Sequence, residues 1–250
     1  MTVGCNWGTT PFRNPHLRTL TFAKVLDALN ESSKTLAEIL KIIEFSHSGT
    51  LSTIMDHLIT AGFVQKQNLW SFKTTKMLRQ SLYRISDPYM RFYLKVIAPQ
   101  LNKISIGSFK NVSLSSLPGF DAHVGLQLEH LLLQNRPILL KNIGISPIDV
   151  VCDGPYRQSS TSTQKGCHID YLIQTRTKNI FICEFKFKRR ELGIDVIDEI
   201  KDKTNAIKIP KGFAIVPVLF HLSGVSSSVE IANYFYRMID ITTFLDNETS

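Results

Sequence analysis

The chain has 250 residues, 43% of them hydrophobic and 20% charged, with a formal net charge of +8. A chain of this length and composition can bury real cores, which excludes a wholly disordered protein. The positive charge favours a polyanionic partner, although a basic protein without such a partner would have the same composition. No stretch approaches the roughly 18–20 apolar residues of a membrane-spanning helix. We therefore predict a cytoplasmic protein with no membrane partner.

The N-terminal part of the chain has the pattern of a small helical domain. Residues 1–16 are rich in Gly, Pro, Asn and Thr and are predicted to be a tail. Residues 17–100 carry apolar residues at helical spacing, then two short apolar segments, "FVQKQ" and "LWSFK", predicted as strands joined at Gln67 and Asn68. Helices followed by a hairpin predict a winged helix-turn-helix with a further helix after it.

The third predicted helix, which begins at Ser48, would be the recognition helix of this domain. Its outward positions carry no Arg or Lys. Contacts to phosphates and to guanine depend on cations, so this composition is unusual for a DNA reader. Contact with DNA and a role in protein docking or spacing both remain open for residues 17–100.

The remainder of the chain predicts a second domain, residues 119–250, after a polar linker at 101–118. An amphipathic helix with Asp121 as its N-cap comes first, and apolar runs that predict strands follow. The order of helix, strands, helix and strand predicts an α/β (α+β) domain with a mixed sheet flanked by helices. The predicted strands are about 146–152, 168–174, 179–187, 212–220 and 234–242, with a helix at about 194–207.

Acidic residues interrupt two of these apolar runs. Asp170 stands within "HIDYLI", and Glu184 and Lys186 stand within "NIFICEFKF". Side chains alternate along a strand, so Glu184 and Lys186 share a face, and a hairpin would bring Asp170 close. Glu129, on the preceding helix, can approach the same point. Carboxylates that converge in an apolar sheet favour Mg²⁺ (or Mn²⁺), which prefers oxygen ligands.

In this arrangement Asp170, Glu184 and Glu129 are candidate metal ligands, and Asp170, Glu184 and Lys186 are candidate catalytic residues. The cation would activate water and polarise a phosphodiester, while Lys186 would offset charge in the transition state. A lone E-x-K is common, however, and these side chains could instead form a solvated strand face. Basic residues near the site fit a nucleic-acid path or a solvated charge run: Lys188, Arg189, Arg190, Lys201 and Lys203.

On these motifs the second half resembles the PD-(D/E)XK nuclease superfamily, whose fold is restriction-endonuclease-like. The resemblance covers about residues 120–242. It implies that Asp170 is the metal-binding Asp, that Glu184 and Lys186 form the (D/E)-x-K motif, and that Glu129 is the acidic residue of the first helix. The Pro that often precedes the Asp is absent, since His168 and Ile169 stand there.

The whole chain also resembles the C-terminal part of a group of prokaryotic AAA+ type ATPases, in which a winged helix and a nuclease-like domain follow the ATPase core. The similarity rests on "YRISDPYMRFY", "GLQLEHLLLQN", "HIDYLI" and "CEFKF". The chain contains no G-x-x-x-x-G-K-[ST] motif, so it is not expected to hydrolyse ATP by itself. Either the ATPase is on another chain, or this chain is a remnant or a stand-alone product. An ATPase subunit and a second copy of this chain are the candidate protein partners.

Three functions follow from these observations. The leading hypothesis is a Mg²⁺-dependent nuclease that hydrolyses phosphodiester bonds in DNA. The alternative is a catalytically inactive nuclease fold that binds DNA or docks a partner. A transcription regulator that uses only the winged helix ranks last, because it leaves the E-x-K strand unexplained.

Overall fold

The structure, a computed structural model, describes part of the 250-residue chain, and the predicted tail at 1–16 lies almost wholly outside that part. The described residues are 15–45, 48–71, 74–158, 160–162, 164–207 and 209–244. The chain divides into two compact units. The first comprises Met1–Gln67 and Ser81–Val112, and the second comprises Asn68–Gln80 and Ser113–Ser250.

The first unit is helical with a small sheet in which the strand order is β1-β3-β2. Its core forms where apolar residues recur at helical spacing, as at Leu51, Ile54, Met55 and Leu58, all of them buried. The elements of this part of the chain are α1 (Pro15–Leu29), β1 (Lys34–Thr35), α2 (Leu36–Ile42), α3 (Ser48–Thr60), β2 (Val64–Trp70), β3 (Met77–Ile85), α4 (Pro88–Phe92), a π-helical turn (Tyr93–Ile97) and α5 (Leu101–Ser105).

Local capping follows the sequence in this unit. The Asp87 carboxylate accepts a hydrogen bond from the N–H of Met90 at 2.5 Å, and Pro88 occupies the first turn of α4, as is usual for an N-cap followed by proline. At α2 the N-cap is Thr35. Its hydroxyl accepts the Glu38 N–H at 3.3 Å, and the Glu38 carboxylate accepts the Thr35 N–H at 2.8 Å.

The predicted hairpin at Gln67 and Asn68 is wrong. Strand β2 runs through both residues to Trp70, and its partner strand is β3, which contains "LYRI". The polar residues between Val64 and Leu69 alternate between partly buried and exposed positions. Neighbouring residues of a strand point to opposite faces, so these polar side chains lie on both faces of β2, and their polarity does not indicate a turn.

The second unit is built on a mixed sheet with the strand order β4-β5-β6-β7-β8. Strands β4, β5 and β6 are antiparallel neighbours, whereas β6, β7 and β8 are parallel, which confirms the predicted mixed α/β class. The elements are α6 (Phe120–Gln134), α7 (Arg136–Ile143), β4 (Val150–Gln158), β5 (Cys167–Thr175), β6 (Asn179–Lys186), α8 (Asp195–Ala206), β7 (Ala214–His221), α9 (Ser227–Ile231) and β8 (Arg237–Asp240).

Different helices pack on the two faces of this sheet. Tyr171 and Cys183 belong to a core that also contains Leu132 of α6 and Leu139 of α7. On the other face, Ile200 of α8 packs with Leu219 of β7. Helix α8 is the crossover between the parallel strands β6 and β7, so it covers the face on which the even-numbered residues of β6 lie.

Two predictions for this unit are wrong. The first strand is β4, about four residues later than the predicted 146–152, because residues 147–149 form a 3₁₀ turn. Pro155 would be expected to interrupt a strand. It is tolerated in β4 because this strand lies at the edge of the sheet and its register shifts between Gly154 and Tyr156. Asp121 is not the cap of α6: the N-cap is Gly119, whose φ of 82° favours glycine.

Among the described residues, none of the helices combines the length and apolar character required to cross a membrane. The predicted linker at 101–118 includes α5 and the division between the two units after Val112.

Candidate metal and nucleic-acid site

Asp170 and Glu184 lie side by side on neighbouring strands of the second unit. The antiparallel pairing of β5 with β6 runs from Gln174–Ile180 to Tyr171–Cys183. Asp170 and Glu184 are the next residues on the two strands. The Asp170 carboxylate also accepts a hydrogen bond from the backbone N–H of Phe185 at 2.8 Å, which fixes the side chain of Asp170 against β6.

The two oxygens of the Glu184 carboxylate have different surroundings. Glu184 is only 2% exposed. Its Oε1 accepts a hydrogen bond from Lys203 Nζ and lies 3.4 Å from Lys186 Nζ. Its Oε2 is buried and has no hydrogen-bond partner among the described residues. A buried carboxylate oxygen without a donor is costly, so this atom is available to an added ligand.

Lys186 lies between two acidic residues. Its Nζ is 2.5 Å from Glu199 Oε2 and 3.4 Å from Glu184 Oε1. Burial alone would lower the pKa of Lys186, but hydrogen bonds and charges from Glu199 and Glu184 raise it above the usual value. Lys186 is therefore a fixed positive charge beside the carboxylates.

Both carboxyl groups are difficult to ionise. Burial raises the pKa of Asp170, and the Lys203 charge and the Phe185 N–H only partly oppose that effect. Burial also raises the pKa of Glu184, and the neighbouring Asp170 charge raises it further. Two buried carboxylates that repel each other favour a bound cation, because a cation restores the ionised forms.

Helix α8 supplies two residues that the sequence analysis did not assign to this site. Glu199 and Lys203 are four residues apart, so they share one helical face, the one that contacts Lys186 and Glu184. Lys203 was predicted to contact nucleic acid, but the structure directs its ammonium group to Glu184. The available signal was the i, i+4 spacing of Glu199 and Lys203 in an amphipathic helix just after the E-x-K strand.

Glu129 is not grouped with Asp170 and Glu184. It lies on α6, which covers the opposite face of the sheet from α8. The part of the chain that the structure describes contains no set of three or more His, Cys, Asp or Glu side chains arranged to hold a metal ion. The Glu129 side chain is half-buried and makes contacts of its own, and it does not complete a three-carboxylate cluster with Asp170 and Glu184.

The other predicted nucleic-acid contacts are on the surface. Lys188 Nζ lies 3.9 Å from Asp195, and Arg189 Nη2 lies 2.6 Å from Asp121. Lys201 lies 3.7 Å from Asp198 on α8 and also sits over the Tyr234 ring. Arg190 is exposed. Lys188, Arg189 and Arg190 form a basic segment directly after β6, whereas Lys201 belongs to the outer face of α8.

No family model matches the chain. A segment of 89 residues, 36% of the chain, is 30% identical to an uncharacterised protein of Methanocaldococcus jannaschii. That match spans 20% of the relative's length. Among solved structures, the chain is similar to a repair endonuclease from Pyrococcus abyssi, with 13% identity and a TM-score of 0.27 over 42% of this chain and 43% of that one. A likeness this weak does not establish a fold or a function for this chain.

Proposed function

We propose that this chain is a divalent-cation-dependent phosphodiesterase that acts on DNA, with a restriction-endonuclease-like second unit. The observation that carries the proposal is the Glu184 carboxylate, whose Oε2 is buried and unpartnered among the described residues beside a second buried carboxylate, Asp170. This geometry is costly for the fold unless a ligand compensates it, and costly arrangements of ionisable groups are typical of functional sites.

The residues present fit Mg²⁺ or Mn²⁺. Both ions prefer oxygen ligands, and Mg²⁺ keeps several waters, so two carboxylates suffice to hold it. Asp170 and Glu184 would hold the ion, and a bound ion would supply a Lewis acid that polarises the phosphodiester. The Phe185 N–H fixes Asp170 Oδ2, and Asp170 Oδ1 lies 3.8 Å from His168 Nδ1.

Lys186 has a separate role in this proposal. Its ammonium group cannot act as a metal ligand while it is protonated, and its raised pKa keeps it protonated at neutral pH. Glu199 holds the ammonium group beside Glu184, where it can orient a water molecule and offset negative charge on the phosphate. The ion is thus held by the two carboxylates, and the charge that develops during reaction is met by Lys186.

The test is a calorimetric titration with Mn²⁺, paired with a plasmid-nicking assay, on the unmutated chain, Asp170→Asn and Lys186→Ala. We expect Asp170→Asn to lose both ion binding and nicking. Lys186→Ala should retain ion binding but cut about 10²–10³ times more slowly, the usual cost of losing one such electrostatic contact. Asp202→Asn is the matched control, because Asp202 is an exposed carboxylate in an ion pair with Lys165. Equal Mn²⁺ binding by Asp170→Asn and the unmutated chain would contradict the proposal.

A specific observation favours the alternative, an inactive nuclease fold that binds DNA or a partner. Lys203 and Lys186 both lie against Glu184 Oε1, so positive charge already stands beside this carboxylate. If these lysines replace the ion, the unmutated chain will bind DNA but neither take up Mn²⁺ nor nick plasmid.

We also infer that residues 17–100 form a winged helix-turn-helix, with α3 as the helix that would face DNA and β2–β3 as the wing. The absence of Arg and Lys from α3 supports a docking or spacing role for this part of the chain. An ATPase partner stays a prediction from sequence resemblance.

A further inference from the structure

A cavity of about 460 Å³ lies in the second unit, on the face of the sheet that α6 covers and opposite the face that carries Asp170 and Glu184. Its walls include Phe187 and Leu222, the residues that directly follow β6 and β7. These two strands are parallel, so their carboxyl ends meet at one edge of the sheet. Val124 of α6 also lines it. Ligands in α/β folds commonly bind at the carboxyl edge of parallel strands.

The lining of this cavity has an apolar part and a basic part. Val124, Phe187 and Leu222 form the apolar part, and Lys188, Arg189 and Arg190 form the basic part. Arg189 is paired with Asp121, which also lines the cavity, at 2.6 Å. Lys188 lies 3.9 Å from Asp195. Arg190 is exposed and makes no ion pair with any residue that the structure describes, so its charge is available to a ligand.

We propose that this cavity binds one unpaired nucleotide of a DNA strand, with the base against Phe187, Val124 and Leu222 and the phosphate at Arg190. The inference rests on the proposed function for the identity of the polymer. It adds a site for a single nucleotide and a preference for unpaired DNA, neither of which follows from the carboxylates.

The chemistry of the lining distinguishes this ligand from others. A double helix presents phosphates on its outside and keeps its bases stacked, so it cannot place an aromatic ring inside a concave apolar wall. An unpaired nucleotide presents a flat ring and a phosphate together, and aromatic side chains and cations are the usual pair of contacts for it. The volume also lies within the range of sites for small organic ligands, about 300–1,000 Å³.

The test measures binding by fluorescence anisotropy in EDTA, where no cleavage takes place. The probes are a labelled single-stranded oligonucleotide and an oligonucleotide of the same length with abasic residues. We expect the full chain to bind the strand with bases about tenfold more tightly, since stacking of one base on an aromatic side chain is worth about 1–3 kcal/mol. Val124→Phe, which fills the cavity without changing charge, should reduce that difference to about twofold or less.

Arg190→Ala tests the phosphate contact without affecting a buried residue. It should weaken binding of both oligonucleotides by a similar factor, about threefold, because phosphate contacts carry no base information. The matched control is Arg176→Ala, an exposed arginine in the β5–β6 turn at the other end of these strands, which should change neither affinity by more than about twofold. The Val124→Phe variant should have the same melting temperature as the unmutated chain, which shows that a loss of base discrimination comes from the filled cavity and not from misfolding.

Equal affinity of the unmutated chain for the two oligonucleotides would overturn the inference, as would unchanged discrimination in Val124→Phe. Tighter binding of a duplex than of the single strand would assign the basic segment to a double helix instead. These results are independent of cleavage: absent nicking and absent Mn²⁺ binding would remove the proposed activity, while base discrimination in EDTA would still report on the cavity.

Discussion

Glu184 is a buried acid whose ionised form is unfavourable in the folded chain. Burial and the Asp170 charge raise its pKa above the ordinary value of 4.5. The folded state therefore holds the proton more tightly than the unfolded state, so stability falls as pH rises from 4.5 through the raised pKa and stays low above it. Without a cation, ionising Glu184 therefore lowers the free energy of unfolding.

We therefore expect Glu184→Gln to be more stable than the unmutated chain at pH 7 in EDTA. The expected rise in Tm is a few degrees, because about 1 kcal/mol moves Tm by about 2–4 °C in a chain of this size. The advantage should disappear below pH 4.5, where Glu184 is protonated in both states. Thermal melts of both proteins across this pH range check the prediction, and a lower Tm for Glu184→Gln at pH 7 would show that the lysine contacts outweigh the burial.

Lys203 would oppose the binding of a metal ion at Glu184. Its ammonium group donates to Oε1, so a cation that binds there must share or displace that contact. We expect Lys203→Met to bind Mn²⁺ more tightly by up to about tenfold, which is 1.4 kcal/mol. Lys201→Met is the matched control, because Lys201 is on the same helix but pairs with Asp198. Weaker Mn²⁺ binding by Lys203→Met would instead show that Lys203 organises the site.

At the scale of elements, α8 positions half of the site through its packing. Ile200 is fully buried and lies between Glu199 and Lys203 in the sequence, and it packs with Leu219. The apolar contact therefore sets the rotation of the helix that aims both charged side chains at β6. The site depends on the helix, although the acidic residues stand on strands.

Shortening Ile200 should thus affect both stability and the site. We expect Ile200→Ala to cost about 2–5 kcal/mol in the free energy of unfolding, measured with urea. Asp202→Ala, on the exposed side of α8, should cost less than about 0.5 kcal/mol. If Ile200→Ala lowered the free energy of unfolding as little as Asp202→Ala does, the proposed role of Ile200 in fixing α8 on the sheet would be contradicted.

At the scale of the whole molecule, the positively charged residues behind the net charge of +8 are unevenly distributed along the chain. Helix α3 contains neither Arg nor Lys, whereas the segment after β6 carries Lys188, Arg189 and Arg190 in succession. Phosphate contacts supply most of the affinity of non-specific binding and depend on cations. The second unit is therefore expected to dominate contact with DNA.

We expect the double substitution Thr53→Ala and Asp56→Ala, at exposed positions of α3, to change DNA affinity by less than about tenfold, or 1.4 kcal/mol. Removing Lys188 and Arg190 together should lower the slope of log affinity against log salt by about 1.4 for a single strand, about 0.7 per contact. Anisotropy titrations at several salt concentrations measure both effects. A larger loss from the α3 variant would assign the main DNA contact to the first unit.

Much of the second unit could be predicted from local pattern. Alternation along a strand places Glu184 and Lys186 on one face, and the 3.4 Å approach of their side chains agrees with it. The mixed sheet followed from the order of apolar runs along the chain. The face that a strand residue occupies depends on residues a few positions apart, for which backbone geometry decides the outcome.

What the sequence by itself determined is therefore the class of fold and the acidic and basic residues of the E-x-K strand. Only the tertiary structure decided that Lys203 contacts Glu184 and that Glu129 does not join Asp170 and Glu184. It also decided that Phe187 and Leu222 line a cavity with α6 and that Pro155 lies inside an edge strand. The physical reason is that periodicity specifies which side of an element is apolar, whereas the partner of that side depends on how distant elements pack.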